Sequence, residues 1–374
     1  MTFKPSFWKS SARISLGVLS ALAVHAAPPA TVGLPPLDPP NLAQAEIGRR
    51  LFFDRRLSPN QTMSCAMCHV PEQGFTSNEV ATSVGMFGKS LRRNAPTSLN
   101  VAFQTSFFLD GRETALESQV WGPLLSKDEM NNGSRSQVVE RIRALPGYEA
   151  AFAQAFPAQG VREETIAGAL AAYQRTLVAG GSRFDRWYFG GEPAALSAEE
   201  RLGFELFQGK AGCVRCHSAG RDGALFTDHR FHRTGAGAAA LPEKLRVQLA
   251  PGVEVFVAQQ DLEGVTDPPP SDLGRWEVTR KEADRNAFRT PSLRNVSLTA
   301  PYMHDGSLST LEEVIGFYDQ GGKGRDVDPL IKPLGLSATE KRSLAAFLRS
   351  LNAANIGELI TAARKGFGTD HITP

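Results

Sequence analysis

Apolar residues recur at the three- to four-residue spacing of a helix face along much of the chain. The first such segment runs from Ala43 to about Phe53 and puts Ile47, Leu51 and Phe52 on one side. Further helices are predicted at about 135–145, 162–178, 310–319 and 337–351, and after Ser197. Strand-like alternation is scarce. The pattern therefore predicts a mainly α fold.

Capping boxes mark the starts of several predicted helices. In this motif a Ser or Thr and a Glu three residues later each accept a hydrogen bond from a free backbone N–H group at the helix start. The pattern occurs at four places: Ser197 with Glu200, Ser337 with Glu340, Thr114 with Glu117, and Ser309 with Glu312. The last two follow Asp-Gly turns, so we predict that Glu117 and Glu312 begin helices and are not catalytic.

Two short segments contain all four cysteines of the chain, Cys65-Ala66-Met67-Cys68-His69 and Cys213-Val214-Arg215-Cys216-His217. Two cysteines separated by two residues and followed by histidine are the attachment signal of a c-type haem. The sulfurs bond to the vinyl groups of the porphyrin, and the histidine ligates the iron. A disulfide or a zinc site would leave the two histidines unexplained. The sequence therefore predicts two covalently bound haems.

The two haem motifs belong to a longer internal repeat. Seven residues recur 195 positions later: Pro96, Asn100, Val101, Asp110, Gly111, Leu116 and Glu117 return as Pro291, Asn295, Val296, Asp305, Gly306, Leu311 and Glu312. The second copy also contains an insertion at 218–288 that is rich in Gly, Ala and Pro. We predict two cytochrome c-like haem domains related by internal duplication, at 42–190 and 191–355, with a C-terminal tail at 356–374.

The N-terminus predicts export. Basic residues precede an apolar run from Ile14 to Val24, and small residues favour cleavage after Ala26. The run has eleven residues, fewer than the roughly twenty that span a bilayer. We therefore expect a signal peptide at 1–26, a proline-rich tether at 27–41, and a periplasmic location, because bacteria attach c-type haem outside the cytoplasm.

Charge adds little to this picture. The chain has 41 basic and 39 acidic residues, and no run of Lys or Arg exceeds two. A nucleic-acid partner is therefore not expected.

The two copies differ where a second iron ligand would stand. Tyr318 lies in the predicted helix 310–319, and the equivalent residue of the first copy is Pro123, which cannot ligate iron. Tyr318 is either a haem ligand or an ordinary core tyrosine. The first copy carries Gln119 and Glu129 after its Asp-Gly turn, as pocket residues or as part of a solvated face. An electron carrier needs both irons closed, whereas an enzyme acting on peroxide needs one open.

Beyond the haem motifs, several segments match one family: Arg93-Asn94-Ala95-Pro96-Thr97, Asp110-Gly111-Arg112, Gln119-Val120-Trp121-Gly122-Pro123-Leu124, Thr290-Pro291-Ser292-Leu293-Arg294-Asn295 and Pro301-Tyr302-Met303-His304-Asp305-Gly306. Over nearly all of its mature length, the chain resembles the bacterial di-haem cytochrome c peroxidases and the related MauG-like enzymes.

The resemblance implies roles for individual residues. His69 and His217 would be proximal iron ligands, and Gln119 and Glu129 would form the distal pair at the N-terminal haem, where peroxide is reduced. Three further positions would bind calcium between the domains: Asn94, Thr299 and Pro301.

Three departures from the peroxidase pattern separate the subfamilies. Many of these peroxidases have a loop histidine that ligates the resting N-terminal haem. This chain has Met86 at that position, and the iron is therefore either ligated by Met86 or open. Tyr318 replaces a methionine ligand and is similar to the MauG-like tyrosine. Leu109 replaces the tryptophan between the haems, so electrons need another route, for which Trp121 is a candidate.

The predicted function is a periplasmic di-haem c-type peroxidase that reduces H₂O₂ at the N-terminal haem. Electrons from a small periplasmic donor, a cytochrome c or a cupredoxin, would pass through the C-terminal haem. One alternative is a MauG-like enzyme that oxidises a side chain of a protein substrate, typically tryptophan. Another is a non-catalytic di-haem electron carrier. The resemblance also makes a homodimer an expectation.

Overall fold

The computed structural model describes residues 31–237, 244–250, 253–258, 261, 271–324 and 326–365. The predicted signal peptide at 1–26 lies outside these residues. The described part of the chain is mainly helical, which confirms the predicted class. No helix in it is long and apolar enough to cross a bilayer.

The helices of the described residues divide between two halves. In the first half they are α1 (Leu42–Phe53), α2 (Leu116–Gln119), α3 (Trp121–Leu125), α4 (Arg135–Ala144), α5 (Tyr148–Ala155) and α6 (Glu163–Arg175). In the second half they are α7 (Arg183–Tyr188), α8 (Ala198–Gln208), α9 (Trp276–Thr279), α10 (Leu311–Asp319), α11 (Ala338–Arg349) and α12 (Ile356–Arg364).

Each half is built around one close helix pair. In the first half α1 packs on α6 at Gly48, where an added Cβ would lie 1.8 Å from the carbonyl oxygen of Ala169. In the second half α8 packs on α11 at Gly203, where an added Cβ would lie 2.0 Å from the carbonyl oxygen of Ser343. Only glycine allows the two backbones of each pair to approach this closely. These glycines also correspond in sequence, because Gly48-Arg49-Arg50-Leu51-Phe52 resembles Gly203-Phe204-Glu205-Leu206-Phe207.

Matching turns extend this correspondence between the halves. Asn100 and Asn295 both adopt left-handed backbone conformations, with φ of 59° and 61°. The Asn100 side chain accepts a hydrogen bond from the amide of Ala179, and the Asn295 side chain accepts one from the amide of Ala353. These paired contacts are what an internal duplication predicts.

Two of the four predicted capping boxes are wrong. Helix α2 begins after Ala115, whose side chain makes no capping bond, and α10 begins after Thr310, which forms its box with Glu313. Glu117 and Glu312 instead form ion pairs, with Arg175 and Arg349 respectively. The other two boxes are confirmed: Ser197 with Glu200 and Ser337 with Glu340.

The insertion contains short strands that the sequence pattern did not predict. Strands β2 (Lys244–Ala250) and β3 (Val253–Ala258) form an antiparallel hairpin. Strands β1 (Phe231–His232) and β4 (Phe288–Arg289) also pair antiparallel. The amide of Arg289 in β4 donates to the carbonyl of Leu109 at 2.8 Å, so the end of the insertion is tied to the first half.

The sequence predicted a tether and a tail at the two ends of the described chain, but both segments are packed. The first packs against the second half and the last packs against the first half. Leu34 is buried, and the carbonyl of Gly33 accepts a 2.6 Å hydrogen bond from Arg294 in the second half. Helix α12 lies within the predicted tail, but Ala363 is buried in the core of the first half, and Arg364 pairs with Glu72 at 2.7 Å. The first and the last described segments therefore each hold the two halves together.

Candidate haem sites

His69 follows a short 3₁₀ turn at Cys65–Met67. Its Nδ1 lies 3.2 Å from the carbonyl oxygen of Phe75, a fully buried residue. Burial lowers the pKa of His69, so the imidazole is neutral. When Nδ1–H donates to a carbonyl, Nε2 keeps its lone pair for a metal. His69 therefore has the protonation and the support of a proximal iron ligand.

His217 repeats this arrangement after the turn at Cys213–Arg215. Its Nδ1 lies 2.9 Å from the carbonyl oxygen of Phe226, which is also fully buried. Burial again lowers the pKa of the ring. Phe75 and Phe226 share a left-handed backbone, with φ of 56° and 53°. Each histidine is thus supported by the equivalent backbone carbonyl of its own half.

A cavity of about 320 Å³ opens beside His217. Its wall contains both thiols of the second motif, Cys213 and Cys216, and the side chain of Tyr318. Large apolar residues form much of the remainder: Phe207, Leu311, Ile315, Leu344 and Leu348. Burial, with the nearby Cys213 and Cys216 thiols, raises the pKa of the Tyr318 phenol. The structure thus brings Tyr318 into the cavity that His217 borders.

The charge of this cavity suits a haem, which is flat and apolar and has two carboxylate groups. Three arginines line it: Arg215, Arg289 and Arg294. No Asp or Glu is among the described residues of its wall. The thiols, the neutral imidazole, the apolar walls and the basic side chains together fit a covalently attached c-type haem.

The difference between Tyr318 and Pro123 follows from helix continuity. Helix α10 runs unbroken for nine residues and carries Tyr318 near its end. The corresponding segment of the first half is split into α2 and α3 around Val120. Pro123 has no amide hydrogen for the carbonyl of Gln119, which an unbroken helix would need. The first half therefore has no counterpart of the Tyr318 side chain.

Glu129 lies near the first haem motif. Burial raises the pKa of its carboxyl, although the Arg112 guanidinium opposes this effect. The Glu129 charge in turn contributes to the raised pKa of Cys65 and of Cys68. The structure thus brings Glu129 within electrostatic range of the cysteines that precede His69.

Met86 and Gln119 are the other two candidates at this site. The backbone amide of Met86 donates to the carbonyl of Glu129 at 3.0 Å, and its half-buried side chain packs against the first core. Gln119 ends α2 and is half-buried. Its side-chain amide has no hydrogen-bond partner within the part of the chain that is described.

The three calcium candidates all line the second cavity: Asn94, Thr299 and Pro301. Asn94 also links the halves, because its amide donates to the carbonyl of His304 at 2.7 Å. The Asn94 side chain donates to the carbonyl of Ala81 at 2.9 Å, and Thr299 Oγ1 donates to Val296 at 3.1 Å.

Sequence reasoning missed the contacts of His232. Its Nε2 lies 2.8 Å from an oxygen of Asp228, and its Nδ1 lies 2.6 Å from an oxygen of Asp328. Cys216 and these carboxylates raise the pKa of His232 to about 10, so the ring is an imidazolium. No pattern in the sequence connects His232 to Asp328, which follows 96 residues later.

Leu109 and Trp121 bear on the route of electrons between the sites. Leu109 lies in the wall of the second cavity. Trp121 is buried in the core of the first half, with the Arg135 guanidinium 5.1 Å from its ring centre.

The chain is similar to several known proteins. The family model described as di-haem cytochrome c peroxidase matches residues 42–193. The methylamine utilization protein MauG of Methylorubrum extorquens is 40% identical over 341 residues, which are 90% of this chain and 85% of that protein. The cytochrome c551 peroxidase of Nitrosomonas europaea is 36% identical, over 81% of this chain and 80% of its own.

A solved structure is similar over most of the chain. The crystal structure of a MauG-like protein associated with microbial copper homeostasis has a TM-score of 0.70 and 32% identity, and the match covers 86% of this chain and 95% of that one.

Proposed function

The chain belongs to the di-haem cytochrome c peroxidase family, which includes MauG proteins, and on this premise we propose that it reduces H₂O₂ at a haem held by His69. Electrons would reach that site through a second haem held by His217. Members of this family are oxidoreductases. The observation that carries the proposal is the half-buried carboxyl of Glu129, whose pKa is raised at the first motif. The described residues that line the second cavity include no Asp or Glu.

The proposed chemistry divides between the cofactor and the protein. A haem attached at Cys65 and Cys68 and held by His69 would supply the iron chemistry that reduces peroxide. Glu129 moves a proton between the two peroxide oxygens. This role suits a carboxyl whose pKa is raised toward neutral pH, because such a group both accepts and releases a proton readily. Such general acid–base catalysis typically contributes roughly 10²- to 10⁴-fold. The Gln119 amide, which has no protein partner among the described residues, orients peroxide by hydrogen bonding.

The second site is proposed to be closed by Tyr318. A buried phenol keeps its proton unless a cation lies beside its oxygen. Burial raises the pKa of Tyr318, so its phenol would lose its proton only to a cation such as a bound ferric iron. A phenolate lowers the reduction potential of a haem relative to a thioether. This makes the second site suited to sharing an oxidising equivalent.

Steady-state assays test the proposal directly. The holoprotein is mixed with H₂O₂ and a reduced cytochrome c or cupredoxin, and oxidation of the donor is followed. Turnover that falls by two orders of magnitude or more in Glu129→Gln supports the proposal. A holoprotein with no turnover for any donor, and with no binding of cyanide to either iron, would leave only the non-catalytic electron carrier.

The MauG-like alternative is favoured by Tyr318 and by the 40% identity to a MauG protein. In this alternative the oxidising equivalents act on a side chain of a protein substrate. The two functions are distinguished by mixing the fully ferric protein with H₂O₂ without reductant. Direct reaction favours the MauG-like function or an always-active peroxidase, whereas a need for prior half-reduction favours the ordinary peroxidase cycle.

The remaining proposals concern the location of the protein, a calcium site and the oligomeric state. The resemblance and the N-terminal pattern support a periplasmic location and a cleaved signal peptide. Calcium is proposed between the halves at Asn94, Thr299 and Pro301, which all line the second cavity. A homodimer is proposed from the family alone.

A further inference from the structure

Arg289 is a buried cation without an anionic partner. Only 4% of its surface is exposed, and none of the described carboxylates forms an ion pair with it. Its Nε donates to the carbonyl of Phe108 at 3.3 Å, and its two terminal nitrogens have no acceptor within the described part of the chain. Burial lowers the pKa of its guanidinium to about 10. A buried charge of this kind is costly unless something compensates it.

The other buried arginine of the second half behaves differently. Arg294 is 3% exposed, and its guanidinium contacts both oxygens of Asp185 at 2.9 Å. It also donates to the carbonyls of Ala224 and Gly33. The fold therefore supplies a carboxylate where a buried arginine needs one. At Arg289 the described residues supply no carboxylate, which leaves this role open to a bound group.

The surroundings of Arg289 indicate what that acceptor is. Arg289 lines the cavity bounded by Cys213, Cys216 and His217, whose described wall contains no Asp or Glu. His229 lines the same cavity, and its Nδ1 is buried without a hydrogen-bond partner. His229 also adopts a left-handed backbone, with φ of 58°. Strain of this kind persists where the surrounding structure holds a residue in place. Two unsatisfied polar side chains thus line one cavity.

We propose that Arg289 binds a propionate carboxylate of the C-terminal haem, with His229 as a second hydrogen-bond donor. A planar guanidinium whose two terminal nitrogens are both free matches a carboxylate in the bidentate manner. This carboxylate would be fixed next to the first half, because the Arg289 amide and Nε are held by the carbonyls of Leu109 and Phe108. The inference requires that His217 holds a haem, but it does not depend on which reaction the protein catalyses.

The test compares four holoproteins: the parent, Arg289→Gln, Arg289→Lys and Lys332→Gln. Pyridine haemochrome analysis gives the number of haems per chain. Spectroelectrochemistry at pH 8 gives the reduction potential of each haem, and resonance Raman spectroscopy gives the propionate bending band. Lys332 is the matched control, since it lines the same cavity but is exposed to solvent, where its charge is screened.

We expect Arg289→Gln to lower the reduction potential of one haem only, because loss of a buried positive charge favours the ferric state. The propionate band should shift in the same variant. Arg289→Lys should stay close to the parent in potential, and Lys332→Gln should match it in both measurements.

Two outcomes would overturn the proposal. One is an Arg289→Gln protein with two haems and the potentials and band of the parent. The other is equal loss of a haem from Arg289→Gln and Arg289→Lys, which would assign Arg289 a purely structural role. Loss of a haem from Arg289→Gln alone supports the proposal. A parent protein without haem at His217 would instead contradict the proposed function.

Discussion

The backbone amide of Met86 donates a 3.0 Å hydrogen bond to the carbonyl of Glu129. This bond joins the loop after the first haem motif to the turn that carries the proposed distal carboxyl. Gly85 strengthens the contact, since a Cβ there would lie 1.7 Å from the carbonyl oxygen of Asp128. The position of Glu129 therefore depends on a loop more than 40 residues earlier in the sequence.

Replacing Glu129 with Gln should slow reaction with H₂O₂ by roughly 10²- to 10⁴-fold, because the amide cannot relay a proton. The rate is measured by stopped-flow absorbance of the holoprotein. Glu117→Gln is the matched control: Glu117 forms an ion pair with Arg175, and its loss should leave the rate unchanged. Equal rates in Glu129→Gln and the parent would show that this carboxyl takes no part.

Replacing Tyr318 with Phe should change the low-spin ferric EPR signal of one haem and leave the other unaltered. The ring still fills the cavity wall, while the proposed ligand oxygen is lost. Tyr302→Phe is the control, because Tyr302 lines the same cavity and is not a proposed ligand. An unaltered spectrum in Tyr318→Phe would remove this residue from the iron.

Replacing Gly48 with Ala should destabilise the first half by about 1–3 kcal/mol or more, because the methyl group meets the carbonyl of Ala169 in a close helix pair. Gly168→Ala in α6 is the matched control. Its added Cβ would make ordinary contacts, the nearest with Phe156 at 3.7 Å. Helix propensity then favours Ala by up to about 1 kcal/mol. Thermal unfolding should rank Gly168→Ala at or above the parent and Gly48→Ala below both.

Asp272 should contribute pH-dependent stability. Ion pairs with Arg93 and Arg92 outweigh burial and lower the pKa of Asp272 from 3.8 to about 2. A carboxyl with a depressed folded-state pKa contributes stability that is full above its unfolded pKa and is lost as pH falls through its folded pKa. The contribution is about 2 kcal/mol near neutrality and disappears toward pH 2.

Unfolding of the parent and of Asp272→Asn between pH 5 and pH 2 measures this effect. The stability difference between them should shrink as the pH falls, whereas the exposed Asp222→Asn should show a constant difference. A parallel decline of parent and Asp272→Asn would mean that Asp272 does not titrate with folding.

Local patterns were sufficient for much of the fold. The helix from Leu42 to Phe53 agrees within one residue with the apolar spacing, because burying one face of a helix requires that spacing. The two capping boxes confirmed at Ser197 and Ser337 also depend on residues three positions apart. The box expected at Ser309 was wrong because the neighbouring Thr310 and Glu313 form the box instead. The box expected at Thr114 was wrong because the helix begins one residue later, after Ala115.

The haem motifs and the repeat could likewise be read from the sequence, since covalent attachment requires two cysteines and a histidine at fixed local spacing. The tertiary structure alone decided which residues meet these motifs. Contacts between distant segments decide three features of the sites. Glu129 is buried enough for its pKa to rise, Tyr318 lines the second cavity, and Arg289 has no anionic partner among the described residues. Desolvation and charge pairing depend on the distances between residues that are far apart in the sequence. Local sequence patterns do not give these distances.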